Sequence, residues 1–210
     1  MTCLLVIAKA PVSGLAKTRL CPPATPDEAA DIAAAALLDT LDAVLAVPDV
    51  TPVVAFTGDL RRAARRQELT DALARTTVIP QRGNTFADRL ANAHADVAAL
   101  GPVLQIGMDT PQVTPTLLTG AIERLEELDG VLGHASDGGW WALGLRDPHE
   151  AAALRDVPMS QPDTGRRTWL ALSHLRIGHL PVLSDVDTMA DATRVAGQTS
   201  GRFAAAVAAR

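Results

Sequence analysis

The sequence predicts an α/β fold in which a mostly parallel sheet carries helices on both faces. Three observations lead there. The first apolar run, Cys3–Ala8, shows no alternation, as expected of a strand buried on both faces. Apolar runs then alternate with longer helix-like stretches along the chain, the pattern of a parallel sheet with crossover helices. Finally, 210 residues, with 48% hydrophobic and 20% charged, suit one α/β domain spanning residues 1–210 with a sizeable core.

The elements follow in order. Thr2–Ala8 is the first strand. Pro26–Leu45 reads as a helix, with Thr25 at the N-cap, Pro26 at N1, and Asp27 and Glu28 in the first turn. Val50–Phe56 is the second strand, and Leu60–Ala74, rich in arginine, an exposed helix. Thr76–Ile79 is a short strand ending at Pro80, and Phe86–Leu100 a helix. Pro102–Met108 is a third core strand. Thr114 caps a helix that runs to Leu128, with Pro115 at N1. Val131–His134 and Trp140–Leu145 are strand-like, separated by Asp137-Gly138-Gly139. Thr164–Leu175 is helical, Leu180–Leu183 extended and Asp187–Ala196 a short helix, followed by an alanine-rich tail.

The net charge of −5 disfavours bulk nucleic-acid binding. Two cysteines, Cys3 and Cys21, with no C-x-x-C, read as reduced thiols. Lys9 and Pro11 interrupt the first apolar run too early for a signal peptide, and no apolar segment suffices for a membrane span. A cytoplasmic location is expected.

The loop after the first strand stands out against this acidic background. It holds Lys9, Pro11, Gly14, Lys17 and Arg19, at the carboxyl end of a buried strand, where open α/β sheets bind ligands. Cations and backbone N–H groups there favour a nucleotide phosphate. It is not a Walker loop, because Ala16 precedes Lys17 and residue 11 is proline.

Three carboxylate-bearing segments add to it. Asp109 ends the core strand in Gly107-Met108-Asp109-Thr110-Pro111, and there it could bind a cation or simply begin a turn. Asp185 and Asp187 in Leu183–Thr188 suit either a second metal ligand or a helix N-cap, and the residues alone do not separate the two acids. Asp137-Gly138-Gly139-Trp140-Trp141 could be an ordinary hairpin. Two adjacent tryptophans in a strand face opposite sides, however, so one can enter the core while the other lines a cleft. Gln81, Gly83, Phe86 and Arg89 sit where a strand meets a helix and could border the donor site. The five histidines show no metal-ligand spacing, and no G-x-S-x-G elbow supports a serine triad.

Taken in order, these four motifs resemble those of the bacterial selenodomain-associated transferases, members of the GT-A or nucleotide-diphospho-sugar transferase superfamily. The matching positions are Lys9-x-Pro11-x-x-Gly14-x-x-Lys17-Thr18-Arg19-Leu20; Gly107, Asp109 and Pro111; Asp137–Trp141; and Asp185–Thr188. Met108 stands where that family has Ser or Thr, and Trp140 and Trp141 where it has tyrosines. More remotely, the chain is similar to guanylyltransferases of cofactor biosynthesis. The resemblance implies a Rossmann-like GT-A fold and a metal-dependent transfer from a nucleotide-activated donor to a small-molecule acceptor.

On this reading Lys17 and Arg19 neutralise donor phosphates, and Asp109, with Asp187 or Asp185, holds Mg²⁺ or Mn²⁺. Asp137 orients or deprotonates the acceptor. Gly138, Gly139 and Trp140 border the ligand. Glycosyl transfer and nucleotidyl transfer with release of pyrophosphate both fit these residues. A non-catalytic nucleotide-binding protein is the alternative of another class.

Overall fold

A computed structural model describes residues 1–210. Seven strands form one sheet in the order β3-β2-β1-β4-β6-β5-β7. These are β1 (Thr2–Lys9), β2 (Val50–Thr57), β3 (Thr77–Pro80), β4 (Val103–Gly107), β5 (Gly130–Ala135), β6 (Trp140–Leu145) and β7 (Ile177–Leu183). Only β6 runs against the others, pairing antiparallel with β4 and β5. The turn at Asp137–Gly139 makes that reversal. At Gly138, φ is +92°, and an added Cβ would collide with the Pro162 carbonyl, so glycine is required there.

Seven helices follow in chain order: α1 (Pro26–Leu45), α2 (Arg66–Leu73), α3 (Phe86–Asp96), α4 (Pro115–Glu127), α5 (Thr164–Ala171), α6 (Met189–Ala196) and α7 (Arg202–Ala208). The two Thr-Pro starts act as expected. Thr25 and Thr114 accept the N3 backbone N–H, and Thr25 completes a capping box with Glu28.

Leu4, Val6, Leu104 and Ile106 point to one face and pack with α1, α2 and α4. Cys3, Leu5, Ile7 and Val103 point to the other, with α3 and a 3-10 segment at Pro148–Asp156. A third core lies off the sheet, where Ile32 and Ala35 of α1 meet Val195 of α6 and Phe203 of α7. Helix α1 is therefore buried on two sides, which its all-round Ala/Leu character permits. Asp39 of α1 fastens α7 by accepting the Arg202 and Phe203 backbone N–H groups at 3.0 and 2.9 Å.

Several boundaries differ from the sequence expectation. The stretch expected as one helix over 60–74 is a 3-10 turn at Leu60–Arg62 and then α2, because Arg65 adopts the left-handed region at φ 49° and interrupts the run. Helix α3 stops at Asp96, and α5 at Ala171. β7 begins at Ile177, three residues before the expected start. The alanine-rich tail is α7. No helix is long and apolar enough to cross a membrane.

Candidate active site

The loops at the carboxyl ends of β1, β4 and β7 meet. Lys17 is the hinge of the meeting. Its Nζ lies 2.8 Å from Asp109 Oδ2 and 3.2 Å from Asp187 Oδ1, and Arg19 reaches Asp187 Oδ2 at 3.2 Å. Lys17 is the buried member, its side chain 13% exposed against 40% for Asp109 and 39% for Asp187. Burial works to lower its pKa, but the Asp109 and Asp187 carboxylates outweigh it and hold the ammonium above its ordinary value. Lys17 also adopts the left-handed region, at φ 48° and ψ 41°, a strained conformation for a side-chain-bearing residue.

The backbone around this point is tied across the chain. The Val186 N–H donates to the Asp109 carbonyl at 3.1 Å, joining the two acid loops. The Lys9 N–H donates to Met108 Sδ at 3.2 Å, and Lys9 Nζ to the Leu15 carbonyl at 2.8 Å. Met108 thus accepts weakly from the last residue of β1, where a Ser or Thr hydroxyl would have been a stronger acceptor.

Asp185 is the most perturbed acid. Burial first, then the Asp109 and Asp137 carboxylates, push its carboxyl up to about 7. Asp187 stays free of the helix that follows, because Thr188 is the N-cap of α6 and forms a capping box with Asp191. Both acids therefore face the cleft.

A cavity of about 700 Å³ runs from this cluster between α3 and the 159–162 loop. Lys9, Arg19, Gln81, Arg89, Asp109, Asp137, Gly139, Trp140, Asp185 and Asp187 all line it. A smaller one of about 270 Å³, on the loop side, adds Lys17. Pro11, Gly14, Gly83 and Gly138 line neither and shape the loops. Pro11, for example, accepts the Ala64 N–H at 2.9 Å. Gln81 is tied down, donating to the Ala8 and Ala55 carbonyls at 2.9 Å each.

The tryptophans divide as the strand pleat requires. Trp141 is 1% exposed and donates to the Pro181 carbonyl at 2.9 Å, its indole filling the space above Gly133. Trp140 lines the cavity and donates to Thr168 Oγ1 at 3.1 Å. Asp137 accepts the Gly139 N–H at 2.8 Å, which leaves its second oxygen available.

Two features of the cavity wall escaped the sequence reading: Gln105 and the loop Met159–Pro162. Gln105 sits inside an apolar strand. The one available signal was a polar residue within Val103–Ile106.

No three metal-binding side chains are drawn into a ready cage. The donor set nevertheless suits a hard cation. Mg²⁺ and Mn²⁺ prefer oxygen ligands, and Mg²⁺ takes only one or two carboxylates beside phosphate and water. Asp109, Asp187 and the crowded Asp185 offer that.

A model of the family described as an uncharacterized protein conserved in bacteria (DUF2064) matches residues 40–161. A search of curated proteins finds no match. Among solved structures, the chain is similar to a candidate nucleotide-diphospho-sugar transferase from Desulfovibrio desulfuricans, with a TM-score of 0.81 and 24% identity over 92% of this chain and 85% of the other. It is also similar to a CMP:2-keto-3-deoxy-manno-octonic acid synthetase complexed with CTP, with a TM-score of 0.59 and 14% identity over 92% and 96%. A Mycobacterium tuberculosis protein in complex with manganese gives a TM-score of 0.57 and 21% identity over 92% and 97%. These likenesses establish the GT-A-like fold that the motifs implied.

Proposed function

The chain belongs to the DUF2064 family and has a GT-A-like fold, and from that premise we propose that it is a transferase that uses a nucleotide-activated donor. The observation that carries this reading is the convergence of Lys17 on Asp109 and Asp187, residues far apart in the chain that meet at strand ends. A basic loop beside paired acids is what a polyphosphate with a divalent cation needs.

Donor phosphates would take Lys17 and Arg19 from their carboxylate partners, and Lys9 lies on the same wall. Asp109 with Asp187 or Asp185 would hold Mg²⁺ or Mn²⁺. When bound, the cation supplies charge stabilisation on the departing phosphate oxygens. Asp137, on the same cavity wall, accepts the proton of the attacking acceptor hydroxyl. Trp140 offers a flat face to a ring at the site. The two free thiols, Cys3 and Cys21, fit a cytoplasmic setting.

Glycosyl transfer is the first form of this reading. Nucleotidyl transfer is the second, favoured by Lys9, Lys17 and Arg19 together, a cation set that suits a triphosphate. Calorimetry with a panel of nucleotides and nucleotide sugars, Mn²⁺ present, tests the shared core. Binding by wild type and its loss in Lys17→Met are expected, and absence of any binding defeats the proposal. The product then separates the two forms: nucleoside diphosphate for glycosyl transfer, pyrophosphate for nucleotidyl transfer.

A further inference from the structure

The larger cavity has a second charged end that the donor chemistry leaves unused. Arg89, half-buried on α3, makes no ion pair or side-chain hydrogen bond. Its Nε is shielded from solvent and has no partner. The Phe86 ring lies 5.6 Å from its guanidinium carbon, in cation–π contact. The other half-buried arginines differ. Arg65 is held by Asp31, and Arg202 by Asp39 and Asp42. The shielded Arg89 Nε–H is a donor with no acceptor inside the protein, on a cation with no counter-charge, and it stays open to a ligand.

Two more groups on the same cavity wall are unsatisfied. Gln105 is 2% exposed, and its Oε1 lies beside the buried His94 ring without an aligned hydrogen bond. Thr110 is 1% exposed, and its hydroxyl has no partner. Native interiors rarely leave such atoms unpaired unless something else supplies the bond.

Resting on the donor reading above, we propose that this end binds the acceptor and selects one that carries an oxyanion. Arg89 grips the oxyanion, a carboxylate or a phosphate monoester, through its fork of donors. The unpartnered Thr110 hydroxyl, which can donate or accept, offers a second contact on the same wall. Charge layout supports this division. Asp109, Asp137 and Asp185 also line the cavity, so an acidic acceptor is repelled everywhere except at Arg89 and the loop cations, and the donor phosphates claim the loop cations. A neutral sugar would leave Arg89 unpaired. The residue that the sequence placed at the border of the donor site thereby becomes the acceptor's specificity determinant.

The test uses the full chain and three probes: D-glycerate, glycerol 3-phosphate and glycerol, read by saturation-transfer NMR. Wild type is expected to bind at least one acid and not glycerol. Glycerate alone assigns a carboxylate acceptor, and glycerol 3-phosphate alone a phosphate monoester. Arg89→Met should weaken the acid at least tenfold, and Arg89→Lys less. Nucleotide affinity with Mn²⁺ should stay within twofold in both variants, which also shows that they fold. Equal binding of glycerol and the acids, or undiminished acid binding in Arg89→Met, overturns the proposal. So does a loss of nucleotide affinity in Arg89→Met while acid binding persists. If wild type binds no nucleotide yet binds acid through Arg89, the donor reading fails and the oxyanion site stands.

Discussion

At the loop end of the cleft the buried cation has its counter-charges inside the protein. Lys17 sits between Asp109 and Asp187, and Arg19 backs Asp187. At the α3 end Arg89 makes no ion pair, and its shielded Nε has no acceptor. The same carboxyl end of the sheet thus carries a closed electrostatic circuit and an open one. A closed circuit holds its shape with no ligand and must be exchanged for one. An open circuit costs stability until a ligand completes it.

The contrast is broken most severely at Lys17. In Lys17→Met, the cation that bridges Asp109 and Asp187 is gone, and the donor phosphates lose a charge-assisted contact of roughly 1.5–3 kcal/mol. Nucleotide affinity should fall about 10–100-fold in calorimetry with Mn²⁺. An unchanged affinity would show that Lys17 only braces the acids.

Asp185 sharpens the comparison, because it is the strained member of the closed end. Its folded pKa of about 7 lies well above the ordinary 3.8, so the folded state holds the proton more tightly. The sign follows: stability is greatest at low pH and falls as pH rises from about 4 through 7. Asp185→Asn cannot ionise. Without metal, the variant should be more stable than wild type at pH 8, by roughly 2–4 kcal/mol after allowance for screening, and about equal at pH 4. Thermal unfolding across that range checks it.

His94 gives the opposite slope at the open end. It is fully buried beside Gln105, neither ring nitrogen reaches hydrogen-bond geometry, and burial lowers its pKa to about 4. Its contribution is complete above pH 6.5 and is lost as pH falls to about 4, by roughly 3 kcal/mol. His94→Leu should remove that slope. Parallel stability curves for the two proteins between pH 7 and 4 would contradict the assignment.

The smallest effect is expected at Trp140, where the two ends adjoin. Trp140→Phe keeps an aromatic face but loses the bond to Thr168, worth about 1 kcal/mol. Chemical denaturation measures the loss, and nucleotide binding should change little.

Much of this was legible in the residues because local physics decided it. Thr25-Pro26 and Thr114-Pro115 fix two helix starts through capping alone, and Cys3–Ala8 has no polar position to place on a surface. The convergence of the loop cations with Asp109 and Asp187 was legible only as motif order, since nothing in the spacing dictates contact between positions 17 and 187. The reversed direction of β6 was open, because a short turn allows a hairpin but register is a tertiary matter. Gln105 and the 159–162 loop went unnoticed, as their role depends on what surrounds them. The alanine-rich tail carried too weak a periodicity to reveal α7, which owes its place to Phe203 seating on α1 and to the Asp39 clamp.

That clamp bears on how the molecule matures. The cations at 17 and 19 leave the ribosome well before Asp187, which emerges 170 positions after Lys17. Asp187 directly precedes the C-terminal layer that docks on α1 through Asp39 and Phe203. A nascent chain can therefore pair Lys17 with Asp109 long before its second carboxylate partner has been made.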